Sequence, residues 1–130
     1  MRRQRPEAHL VLVTAPTARE ARTLARVVVG ERLAACVNVV GPLRSIYRWQ
    51  GKVEQAREYL LLIKTRPGLY PKLERRILEL HSYDVPEVLA VPLDSGARPY
   101  LAWLLASTAV TPAPARARAR LAPRAAAQFK

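Results

Sequence analysis

Cysteine and histidine, the side chains from which metal centres and nucleophilic sites are most often built, are nearly missing from this 130-residue sequence. Cys36 stands alone, and the only histidines are His9 and His81. A single cysteine excludes an internal disulfide framework and fits a reducing compartment. Set in an apolar stretch, it reads as a small hydrophobe rather than a reactive thiol. Two histidines leave few candidates for imidazole acid/base chemistry. No Gly-rich phosphate loop, GxSxG, HExxH or CxxC pattern occurs, and no nucleophile stands beside a base, so the chain is read as non-catalytic. Long apolar runs are missing too. The longest, Tyr59 to Ile63, is far too short to span a bilayer, and the arginine-rich start lacks the long apolar region and cleavage site of a signal peptide. A cytoplasmic protein without a membrane partner is expected.

Positive charge, by contrast, is abundant, at +12 net. Three arginines against one glutamate in residues 1–8, with four arginines and a lysine but no acid in 108–130, account for seven of those charges. Residues 9–107 are therefore only mildly basic. The segment TPAPARARARLAPRAAAQFK from Thr111 onward has almost nothing to bury, so its ordering entropy goes uncompensated. The expected organisation is a flexible tail over 1–8, one domain over 9–107, and a disordered Ala/Pro/Arg-rich basic tail over 108–130.

Within the domain, the hydrophobic period alternates between two and 3.6. His9 to Thr14 predicts a strand. Thr17 with Glu20 three residues on predicts a capping box, and Ala21, Leu24, Ala25 and Val28 predict a helix to about Leu33. Ala35 to Val40, interrupted at Gly41-Pro42 and resumed from Ser45 to Trp49, predicts a long strand with a bulge. Gln50-Gly51 marks a turn, and Lys52 to Thr65 a third strand. Pro71, Leu73, Ile77 and Leu80 predict a second helix ending near His81. Glu87 to Leu93 predicts a fourth strand, and Tyr100, Leu101, Leu104 and Leu105 a last helix. The order βαββαβα defines an α+β, ferredoxin-like plan: an antiparallel sheet with helices on one face, plus a C-terminal helix. Because the strands are apolar at successive positions, the uncovered face would leave a large apolar surface wet. That pattern predicts self-association.

Five motifs then fall in order: RLAACVNV at Arg32–Val39, SIYRWQGKVE at Ser45–Glu54, LIKT at Leu62–Thr65, HSYDVPE at His81–Glu87 and YLAW at Tyr100–Trp103. Together they resemble the CutA divalent-cation tolerance family across 9–107. The resemblance implies a homotrimer in which a long β-hairpin reaches onto a neighbouring subunit, and a function in divalent-metal, chiefly copper, tolerance. It places Tyr47, Trp49, Lys64, Tyr83 and Trp103 at subunit contacts or clefts. Some members bind copper through a cysteine and two histidines; those positions are Val13, Leu80 and His81 here. Only His81 can ligate, with Asp84 and Glu87 as oxygen donors nearby, which implies at most weak binding of Cu(II) or another divalent cation and no required cofactor. One alternative is a trimeric regulator that binds a small anionic metabolite between subunits, with Lys64, Arg48 and Arg66 as contacts. A second is nucleic-acid binding through the basic tails; the sheet lacks the aromatic pair that RNA-recognition folds of similar topology use, which counts against it.

Overall fold

A computed structural model describes residues 7–109 of the chain. The elements are β1 (Ala8–Ala15), α1 (Ala18–Gly30), β2 (Cys36–Trp49), β3 (Lys52–Thr65), α2 (Tyr70–Leu80, after a 3-10 turn at Pro67–Leu69), β4 (Val88–Leu93) and α3 (Arg98–Ser107). This is the predicted order. The strands form one antiparallel sheet in the order β2-β3-β1-β4, so β2 and β4 are its edges.

Alternation along the strands sorts the side chains into two layers. Val11, Val13 and Ala15 of β1, with their register partners Leu61 and Ile63 of β3, pack against Ala21, Leu24 and Val28 of α1 and Leu73 and Ile77 of α2. All are essentially solvent-free. Removing a buried leucine such as Leu24 from this layer costs about 2–5 kcal/mol. The other face carries Leu10, Leu12, Leu60 and Leu62, paired across the strands. Only α3 covers part of it: Leu101 and Leu104 pack on Ala8 and Ala35 at one end, with Tyr100 and Trp103 around them.

Several boundaries move from their predicted places. The first helix ends at Gly30 rather than near Leu33, because Arg32 takes a left-handed φ of 64° and Leu33 N–H returns to Val28 O. The packed unit also takes in a residue assigned to each tail: Ala8 and Thr108 are both 1% exposed. Residues 1–6 and 110–130, which hold the rest of both tails, lie outside the described residues.

The hairpin is built by two local devices. Gln50 and Gly51 both have positive φ, 49° and 80°, the requirement of a two-residue type I′ turn that closes Trp49 against Lys52. Between Val40 and Leu43 the register slips, as the Gly41-Pro42 interruption predicts. A Cβ on Gly41 would lie 2.6 Å from the Tyr59 ring and 3.1 Å from Glu58 O, so only glycine fits there. The slip bends the hairpin past the end of the sheet, where it becomes one wall of a cleft.

Candidate functional site

The cleft, of about 550 Å³, opens where the hairpin, the end of β1 and the loop after α2 meet. The hairpin contributes Ser45, Ile46, Tyr47, Trp49 and Glu58, β1 contributes Thr14, and the loop contributes Tyr83, Asp84, Val85 and Glu87. Five residues singled out from the sequence, Tyr47, Trp49, Tyr83, Asp84 and Glu87, thus converge on one place. Glu58 was missed. Its signal was a lone carboxylate entering the otherwise apolar run of β3.

Glu58 is the most informative residue of the site, because it is only 6% exposed and has no cationic partner. A buried carboxylate needs donors, and Tyr83 Oη supplies one to Oε2 at 2.8 Å. Burial, reinforced by that bond and by the charge of Glu58, holds the Tyr83 phenol well above its ordinary value of 10. It therefore stays a donor throughout the neutral range.

The loop is held from behind by His81. Its Nε2 lies 2.7 Å from Thr14 O, and its Nδ1 accepts from Tyr83 N–H at 3.0 Å. With Nδ1 acting as acceptor, the proton sits on Nε2 and donates to Thr14 O. Glu20 completes the clamp: Oε2 accepts from Ser82 N–H at 3.1 Å and Ser82 Oγ–H at 3.0 Å, 3.4 Å from His81 Nδ1. Half of the predicted capping box is present, since Thr17 Oγ1 accepts from Glu20 N–H. The other half is not, because the Glu20 carboxylate is used by Ser82.

These contacts decide the metal expectation. Both ring nitrogens of His81 are bonded inside the protein, and the side chain is buried behind the cleft. Asp84 and Glu87 are exposed on the other side of the loop. The three are therefore not gathered into a ligand set, and among the described residues no three His, Cys, Asp or Glu side chains cluster as a metal centre would require. The donors present do not fit a resident copper ion.

The anion contacts are likewise not assembled. Lys64 donates to Asn38 Oδ1, and Arg66 donates to Thr108 Oγ1 at 3.0 Å and to Leu105 O, closing the end of α3. Arg48 is exposed on the hairpin. Lys64 and Trp103 lie at the α3 end of the sheet, away from the cleft, where Tyr100 meets Cys36 and its phenol is pushed up to about 12 by burial and by that thiol. The cleft itself presents carboxylates and aromatic rings, a surface for positive rather than negative charge.

A ferredoxin-like α+β subunit with a tyrosine- and carboxylate-lined cleft, and no paired nucleophile and base among the described residues, defines a binding protein rather than a catalyst. Residues 9–107 match the model of the family described as CutA1 divalent ion tolerance protein, and the chain belongs to that family. It is 52% identical over 99 residues to the divalent-cation tolerance protein CutA of Thermus thermophilus, covering 76% of this chain and 96% of that one. Human protein CutA is 46% identical over 92 residues, 71% of this chain and 51% of its own length. The match thus spans nearly all of the bacterial relative and about half of the human one. Among solved structures, the Thermus thermophilus protein superposes with a TM-score of 0.73 over 75% of this chain and 94% of that chain, at 52% identity. CutA1 from Oryza sativa superposes with a TM-score of 0.78 at 42% identity, over 82% and 98%.

Proposed function

We propose that this chain is a non-catalytic homotrimer serving divalent-cation tolerance, copper included, and that its assembled subunits, rather than a resident metal, form the working unit. The observation that carries this reading is the sheet face left bare by α1 and α2. On it Val40, Leu89 and Val91 are 48%, 55% and 42% exposed, beside the half-buried Leu10, Leu12, Leu60 and Leu62. An apolar surface of that kind is the mark of an association face. Edge strands β2 and β4 also offer unpaired backbone groups that a neighbouring subunit would satisfy. Three copies is the number implied by the family resemblance. The non-catalytic reading is supported by Cys36, whose thiol meets Asn38 and Tyr100 but no imidazole, and by His81, whose ring has no free nitrogen.

Sedimentation equilibrium at micromolar concentration tests the assembly. A species of three times the 14.5 kDa chain is expected. A stable monomer would overturn the proposal.

A further inference from the structure

We infer that the arginine repeat of this chain's own C-terminal segment docks in the cleft between the hairpin and the 81–87 loop. The cleft's charge is of one sign. Asp84 and Glu87 are exposed at its mouth, and Glu58 adds a carboxylate from its floor with no cation paired to it. Among the described residues, no lysine or arginine lines the cleft. Its remaining wall offers the faces of Tyr47 and Trp49, both at least partly open to solvent. Carboxylates beside aromatic faces are the chemistry that receives guanidinium groups, through bidentate hydrogen bonds and cation–π contact.

The matching group is in the same sequence. Residues 110–130 carry Arg116, Arg118, Arg120, Arg124 and Lys130 and no acid. Arg116, Arg118 and Arg120 alternate with alanine, so an extended backbone would set all three guanidinia on one side, about 7 Å apart. The small alanines would let that backbone approach the wall.

The reach suffices. The described chain ends at Ala109, next to Thr108, which Arg66 holds beside the end of β3 that pairs with His9. The cleft lies at Thr14, five residues further along β1, about 17 Å away at strand rise. Arg116 and Arg120 are seven and eleven residues past Ala109, about 24 and 37 Å of extended chain. The segment can therefore occupy the cleft of its own subunit. It lies outside the 9–107 family match, so the contact would be particular to this chain.

The test uses the full chain and reads Trp49 by acrylamide quenching in a Trp103→Phe background. Substituting Arg116→Ala, Arg118→Ala and Arg120→Ala together should uncover the indole and raise its quenching constant. Wild type should climb to the same value as salt rises from about 20 to about 500 mM, where screening acts within a few ångströms. Asp84→Asn with Glu87→Gln should reproduce the arginine variant. Hydrogen exchange of residues 82–87, which needs no tryptophan substitution, should quicken in both variants. Sedimentation should be the same in all of them, which keeps this result separate from the assembly proposed above. Equal quenching and exchange across the set would overturn the docking, and so would an effect of the arginine variant that the carboxylate variant fails to reproduce. Loss of heparin retention in the arginine variant without a change at Trp49 would assign the repeat to a polyanion and overturn it as well.

Discussion

Tyr83 Oη donates to Glu58 Oε2 at 2.8 Å, joining the loop after α2 to the root of the hairpin across the floor of the cleft. Tyr83→Phe leaves a nearly buried carboxylate without its donor, a loss of about 1–3 kcal/mol. Chemical denaturation should show that drop at an unchanged m-value. Combined with Glu58→Gln the losses should fall short of additive, because both act on one bond.

Alkaline pH probes the same bond. Tyr83 and Tyr100 are both raised above 10, each first by burial and then by a neighbour, Glu58 and Cys36 respectively, with Tyr100 at about 12. A raised folded value means that the folded chain holds the phenolic proton more tightly than the unfolded chain does. The stability so conferred is complete below pH 10 and is lost as pH climbs through the folded values. Unfolding free energy should decline from about pH 10 upward, and Tyr83→Phe should remove part of that decline.

His81→Ala removes a ring that satisfies Thr14 O and Tyr83 N–H at once. The expected cost is about 1–3 kcal/mol, with faster hydrogen exchange across residues 82–87. Calorimetric titration with Cu(II) should give the same isotherm for wild type and variant, because the ring has no lone pair to offer. Copper binding that disappears with His81 would show that the loop opens to release Nδ1.

Leu89→Asp places a charge on the bare sheet face, where Leu89 is 55% exposed in the single subunit. The fold of each subunit should survive, since the side chain is outside the buried core. Assembly should weaken by about 2 kcal/mol or more, the scale of an interface anchor. Sedimentation velocity on dilution reads the difference, and an undisturbed assembly would place the contact elsewhere.

The element order, the bulge, the hairpin turn and the apolar face were legible in the sequence because each is a local matter. Strand alternation, the Thr17–Glu20 spacing and the Gln50-Gly51 pair act within a few residues, and local sterics and hydrogen bonding settle them. The helix end at Gly30 was misplaced because Leu33 is apolar and extends the helical period, while Arg32 turns left-handed to send the chain into β2.

What tertiary structure alone decided is the character of the site. His81, Asp84 and Glu87 are neighbours in sequence, yet the loop turns the imidazole inward to Thr14 and the carboxylates outward to the cleft. Lys64 and Arg66 are cations by composition, but Asn38 and the end of α3 take up their donors. Glu58 meets Tyr83 from 25 residues away and becomes the buried charge of the cleft. Whether a donor or a charge is free depends on which partner packing brings to it, and these partners come from segments far apart in the chain; residue type and spacing could therefore name the candidates but not their partners.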